Sequence, residues 1–166
     1  MTTFEEWRPV VGYEGAYEVS NLGRVRSLPR VVMRGANGPL PVRGRILKQV
    51  RSQEVYRQVG IGGRPRRVHH LVAEAFIGPR PPGLEICHNN GDGADNRASN
   101  LRYDTKSANE LDRVRHGTHH NANKTHCPRE HEYTPENTTV YKDRRFCKTC
   151  AAEWQRQRRR ARAAAR

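Results

Sequence analysis

Two groups of side chains in this sequence have the types and spacing to do chemistry. The first is His88, Asn100 and Asn109, with Cys87 directly before the histidine. An imidazole with an ordinary pKa near 6.5 takes a proton from water at neutral pH. Neutral or anionic ligands beside it can hold a hard divalent ion against a phosphate, offsetting charge on the phosphorus oxygens and the leaving oxygen. Taken singly, a histidine after a strand and asparagines in a polar loop are ordinary surface and turn residues; only their joint spacing lifts them.

The second group is Cys127, His131, Cys147 and Cys150, read as C-x3-H, fifteen residues, then C-x2-C. Two ligand pairs separated by a hairpin-sized spacer suit a tetrahedral Cys3His zinc site. Four protein ligands leave no open position for water, so the role would be structural. His126 is the rival for the fourth place, but it adjoins Cys127 and closes the chelate awkwardly. A redox C-x2-C wants a βαβ setting, which is absent.

Elements must position these groups. Val68 to Phe76 has helical apolar spacing and ends at Gly78-Pro79. A short strand from Glu85 to His88, a polar loop from Asn89 to Asn100, a strand from Leu101 to Asp104 and a helix from Thr105 to His116 follow, the last opening on a Thr or Ser cap. Strand, loop, strand and helix put His88 and Asn109 on facing walls of one cleft. His69 and His70 are adjacent and cannot share a helix face, so one is structural and the other can reach the cleft or a phosphate. His116, His119 and His120 lie past the helix, as phosphate contacts or linker residues.

Ahead of this stretch lie short β-like runs: Trp7 to Val11, Tyr17 to Ser20, Val25 to Leu28, Arg45 to Arg51 and Val55 to Ile61. They predict a small antiparallel sheet, with Met33 to Gly44 as a loop or hairpin tip. At the other end, Tyr141 to Arg145 reads as a hairpin strand and turn joining the two ligand pairs. Ala151 to Arg166 holds six arginines and one acid and is a strong helix former.

The 166 residues carry 31 Lys+Arg against 17 Asp+Glu, a formal net charge of +14, with 34% hydrophobic residues. The pI is about 10.5 and the mean hydropathy −0.97. One large core does not fit this composition; small modules helped by a metal or a partner do. The charge calls for a polyanion, and nucleic acid is favoured because the basic tail lacks the apolar face a membrane surface needs. No stretch has transmembrane length, and the N-terminus shows no signal-peptide pattern, so no membrane association and a cytoplasmic location are expected, the host cytoplasm if the protein is phage-encoded.

Residues 68 to 118, VHHLVAEAFIGPRPPGLEICHNNGDGADNRASNLRYDTKSANELDRVRHGT, resemble the HNH endonucleases of phages and mobile introns. The resemblance implies a ββα-metal fold in which His88 is the general base that activates water. Asn100 would tie the hairpin together, and Asn109 would bind Mg²⁺ or Mn²⁺ from the helix. Cys87 stands where family members often place an Asp, Asn or His ligand; a thiolate is a poor match for Mg²⁺, so it is either a ligand for a softer ion or a buried packing residue. Residues 5 to 28 resemble a module that often precedes such nuclease domains, which implies DNA contact by Arg24 and Arg26.

The expected fold is α+β: a small antiparallel sheet module (1–66), a central ββα-metal domain (67–120), and a zinc-bound hairpin with a basic helix (124–166). The helix would lay Arg156, Arg158, Arg159 and Arg160 along phosphates. The expected activity is metal-dependent hydrolysis of double-stranded DNA, leaving a 5′-phosphate and a 3′-hydroxyl if the family chemistry holds. A monomer would nick one strand; a double-strand break needs a dimer or two visits. The alternatives are a catalytically inactive DNA-binding protein on the same fold, which should lack His88 or Asn109, and an RNA-binding zinc protein, which should show paired exposed aromatics.

Overall fold

The computed structural model describes residues 4–33, 35, 38–52, 55–142 and 144–165. The chain forms two compact units, Met1–His116 and Gly117–Arg166.

In the first unit, β1 (Trp7–Pro9), β2 (Tyr17–Ser20), β3 (Val25–Ser27) and β6 (Arg45–Ile46) make an antiparallel sheet in the order β1-β2-β3-β6. β4 (Arg30–Met33) and β5 (Pro39–Val42) pair as a hairpin, of which β5 falls in the stretch Met33 to Gly44 read as a loop or hairpin tip; residues 34, 36 and 37 lie outside the described residues. A second sheet is formed by β7 (Val50–Ser52), β8 (Tyr56–Ile61) and β9 (Arg64–Arg67). The helix α1 (Val68–Phe76) follows, then β10 (Glu85–His88), a single 3-10 turn (Ala98–Asn100), β11 (Leu101–Asp104) and α2 (Lys106–Arg115).

Two details differ from the sequence reading. The expected strand Arg45 to Arg51 is split, β6 pairing with β3 and β7 with β8. Leu47 turns in to pack on the core and donates its N–H to the Val25 carbonyl at 2.8 Å, so the chain passes from one sheet to the other. The strand β9 was not foreseen. Gly62 and Gly63, both at positive φ, close a two-residue turn that pairs Ile61 with Arg64, a geometry that demands glycine-like residues.

The core shows why α1 forms where it does. Val68, Leu71 and Val72 fall at helical spacing, and with Ala73 they meet Val10, Val19 and Val25 from the first sheet and Val59 and Ile61 from the second. Leu101 of β11 joins the same cluster. The amino-terminal sheets and the β10–β11 hairpin, read as separate modules in the sequence, therefore share one core around α1. Tyr103 Oη donates to the Gly78 carbonyl at 2.8 Å, fastening the end of α1 to the hairpin.

A second fastening joins the β2–β3 turn to the loop between β10 and β11. Ala98 N–H donates to the Asn21 carbonyl at 2.8 Å. Gly23, at φ +83°, comes so close that an added Cβ would lie 3.0 Å from the Asn96 Cβ. Only glycine tolerates both the dihedral and the approach.

The second unit holds the hairpin β12 (Thr138–Tyr141) and β13 (Arg144–Cys147) and the helix α3 (Lys148–Ala164), longer at its start than the expected Ala151 to Arg166. Asp143 in the hairpin turn and Arg166 lie outside the described residues. Among the described residues no helix is long and apolar enough to cross a membrane.

Candidate active site and metal centre

β10 and β11 pair antiparallel with Glu85 opposite Asp104, Cys87 opposite Arg102 and His88 opposite Leu101. Strand alternation sends side chains to two faces. Glu85 and Cys87 share the face that meets α2, while His88 shares the other with Ile86.

Asn100 is 7% exposed and spends its side chain inside the loop. Its Nδ2 donates to Asn90 Oδ1 and to the Asp95 carbonyl, both at 2.9 Å, and its Oδ1 accepts from the Asn90 N–H at 3.1 Å. Its contribution is to hold the hairpin loop in shape. Asp95, bonded by the Arg97 guanidinium and by Asn90, has its carboxyl pulled down to about 2.

His88 stands at the end of β10 with its ring 5.3 Å from His69 of α1 and 6.2 Å from Tyr56, centroid to centroid. Its Nε2 is enclosed without a hydrogen-bond partner among the described residues. Burial pushes its pKa below the usual histidine value, against the opposing effect of Asn96, Asp92 and Asp95. The imidazole is thus kept neutral, the form a base requires.

His69 is the residue that sequence reasoning placed only loosely. It is 4% exposed, and burial, helped by His70, His88 and Arg67, pushes it down to about 3. Its Nδ1 has no hydrogen-bond partner among the described residues. His70 is half-buried beside it, ring to ring at 4.7 Å. So His69, not His70, reaches His88. Only its place in a helix facing a strand hinted at this.

A test of stability follows from His69. Its folded pKa lies below the unfolded value of 6.5, so the unfolded chain binds the proton more tightly and stability falls as pH drops through 6.5 toward 3. The loss amounts to roughly 2 kcal/mol by pH 5, at about 1.4 kcal/mol per pH unit. His69→Phe should flatten that acid limb in thermal melts between pH 7 and 4; parallel limbs would remove His69 as its source.

On the α2 face, Asn109 Nδ2 donates to Glu85 Oε2 at 2.8 Å. α2 is capped by Thr105 Oγ1, which accepts from the Ala108 N–H at 3.2 Å. It is held to the hairpin by Arg102, which pairs with the buried Asp112 and donates to Asp104 Oδ2 at 3.0 Å and Asn89 Oδ1 at 2.5 Å. Neither Arg102 nor Asp112 stood out in the sequence, where each is an unremarkable charge. His116 ends α2 and lies over Gly91, where an added Cβ would come within 2.6 Å of its Nδ1.

Cys87 does not fit the metal-ligand role. It is 1% exposed, burial pushes its thiol up, and its Sγ faces the Glu85 carbonyl at 3.9 Å. A neutral thiol directed at its own strand is a poor donor to a hard cation, whereas a carboxamide oxygen such as that of Asn109 suits one. The geometry favours the packing role for Cys87.

In the second unit, Cys127, His131, Cys147 and Cys150 bring their ligand atoms within 4.8 Å of one another. Cys127 and Cys150 Sγ are 3.6 Å apart, and His131 Nδ1 lies 3.5, 3.7 and 3.2 Å from Cys127, Cys147 and Cys150. Tetrahedral ligation with Zn–S near 2.3 Å needs edges of roughly 3.7 Å, so this donor set fits zinc. His126 is excluded from the set, its Nδ1 facing Thr125 Oγ1 at 2.9 Å. Cys147 also caps α3, accepting the Cys150 N–H at 3.4 Å, which pulls its thiol down to about 6. Asn137 supports Cys147 from 3.5 Å, and Glu153 lies 3.8 Å from His131 Nε2, the placing of an outer partner to a ligand histidine.

The arginines sort into two kinds. Arg24 and Arg26 are ion-paired with Glu5 and Glu18 and lie over the Trp7 ring at 5.7 and 4.2 Å. Arg156, Arg158, Arg159 and Arg160 are exposed on α3, with Arg158 over Trp154 at 5.2 Å.

Comparison with known proteins adds three findings. Residues 5–62 match the NUMOD4 motif and residues 66–111 the HNH endonuclease family. DNA endonuclease I-HmuI of Bacillus phage SP01 is 32% identical over 117 residues, covering 68% of this chain and 60% of that protein. A solved structure concerning DNA binding and cleavage by the HNH homing endonuclease I-HmuI matches with a TM-score of 0.53 at 32% identity, over 68% of this chain and 60% of that one. The chain thus spans 60% of the length of the relative it matches.

Proposed function

We propose, from the match of residues 66–111 to the HNH endonuclease family, that this chain belongs to that family and hydrolyses phosphodiester bonds in double-stranded DNA. The observation that carries the reading is a half-buried His88 at the end of β10, kept neutral by burial, with Asn109 brought from α2 against the other face of the same hairpin.

His88 takes the proton from the attacking water. Asn100 keeps the loop after His88 in shape, and Asn109 would hold a hard cation through its carboxamide oxygen. Mg²⁺ or Mn²⁺ held there supplies positive charge to the scissile phosphate and the leaving oxygen. His69 and Tyr56 wall the imidazole and keep water from its far side. Cys87 packs the hairpin against α2.

We read the chain in three functional parts: 1–66 for DNA contact, 67–120 for chemistry, and 124–166 as a structural Cys3His zinc module with a basic helix. The net charge of +14 supports association with a polyanion. The exposed arginines of α3 follow phosphates; Arg24 and Arg26 contribute by exchanging Glu5 and Glu18 for phosphate. As a monomer the protein nicks one strand, and a double-strand break needs a dimer or two visits.

The test uses a supercoiled plasmid library with randomised inserts, incubated with purified protein and Mg²⁺, Mn²⁺ or EDTA. Open-circular product with recurrent nick sites in either ion, and none in EDTA, is expected. Library binding without a nick in either ion would leave a DNA-binding protein on a nuclease fold.

A further inference from the structure

Asn109 serves a hard cation through its oxygen alone; its amide nitrogen, turned into the same place, carries hydrogens that repel one. A carboxamide has two orientations of nearly the same shape, so its neighbours must select one. The selecting neighbour here is Glu85. It lies on the same face of β10 as Cys87, two residues earlier, and its Oε2 accepts from Asn109 Nδ2 at 2.8 Å. An ionised carboxylate accepts and cannot donate. If Asn109 turned over, its Oδ1 would oppose a carboxylate oxygen in a half-buried setting, where repulsion is poorly screened.

Both partners are held by rigid parts of the unit. Glu85 is fixed by its strand register opposite Asp104, and Asn109 by a helix that Arg102 and Asp112 bind to the hairpin. Cys87, which occupies the place of a second ligand, supplies no oxygen. The geometry therefore assigns Glu85 as a positioning residue that turns the Asn109 oxygen outward for the cation. This rests on the reading of Asn109 as a ligand.

The test is Mn²⁺ titration of the full-length, zinc-loaded protein, followed by the electron paramagnetic resonance signal of free Mn²⁺. Glu85→Gln has the same shape but can donate as well as accept, so it releases the orientation of Asn109. Mn²⁺ affinity is expected to fall by about tenfold, the usual cost of losing an outer partner, with the melting temperature unchanged. In an Asn109→Asp background both side-chain atoms are oxygen and no orientation needs selecting. There Glu85→Gln should leave Mn²⁺ affinity unchanged or tighten it, since a carboxylate pair is relieved.

Unchanged affinity in Glu85→Gln alone, or an equal loss in both backgrounds, overturns the assignment. Asn109→Ala separates the two levels. If it leaves Mn²⁺ affinity intact, the ligand reading falls and this inference with it. If it weakens binding while Glu85→Gln does not, only the inference falls.

Discussion

Stripping the metal from Cys127, His131, Cys147 and Cys150 is expected to unfold residues 117–165 and to leave the first unit folded. Among the described residues of the second unit only Cys127 and Cys147 are buried, and α3 buries none of its residues. A segment with no apolar core cannot offset the conformational entropy of ordering some fifty residues. Zinc bound to such a donor set contributes about 10–16 kcal/mol of coupled binding and folding. That exceeds any other stabilising contribution visible in the unit. The hairpin and the α3 N-terminus are tied through the same atoms, since Cys147 is both a ligand and the helix cap. An Arg-rich helix without packing is marginal alone in water.

Circular dichroism should therefore lose the α3 signal on adding a strong chelator and regain it with Zn²⁺. Metal analysis should give one zinc per chain in wild type and Cys87→Ser, and none in Cys150→Ser. The first unit, with its valine-rich core around α1, should melt at the same temperature in wild type and Cys150→Ser. An α3 signal that survives the chelator would mean that something other than metal holds the unit, and the zinc reading would be withdrawn.

The second large effect is on the rate. His88→Ala should lower metal-dependent cleavage by about 10²–10⁴-fold, the usual worth of a positioned general base, while leaving DNA binding within experimental error of wild type. The pH profile carries a sharper version. Burial lowers the His88 pKa, so the neutral form persists below 6.5. Cleavage should hold down to that pH and decline only as pH falls further, through the folded-state value. In His88→Ala the acid limb should vanish along with most of the rate. A variant that still cuts at wild-type rate would move the base elsewhere, and His69 would be the next histidine to replace. A wild-type limb centred above 6.5 would mean that DNA or the cation, not burial, dominates the titration.

Sequence alone carried the elements nearest to the proposed site. The spacing of His88, Asn100 and Asn109 and the Cys3His set could be singled out because the base and ligand roles proposed for them restrict residue type locally. The helix Val68–Phe76 and the strands Glu85–His88 and Leu101–Asp104 were read to the residue, because apolar periodicity and the Gly-Pro stop are local signals. The α+β class and the HNH resemblance followed from the same stretch.

What tertiary structure decided are contacts between residues far apart in the chain. No periodicity says that His69 will lie against His88, that Gly23 of the first sheet will abut Asn96, or that Arg102 will find Asp112. Leu47 breaks a run that reads as one strand because two sheets compete for its flanks. By position Cys87 could be either a ligand or a packing residue; strand packing buried its thiol against its own backbone, and Glu85, silent in the sequence, became the partner of Asn109. Local pattern selects residue types and elements; which face of each element meets which neighbour is settled only when the whole core closes.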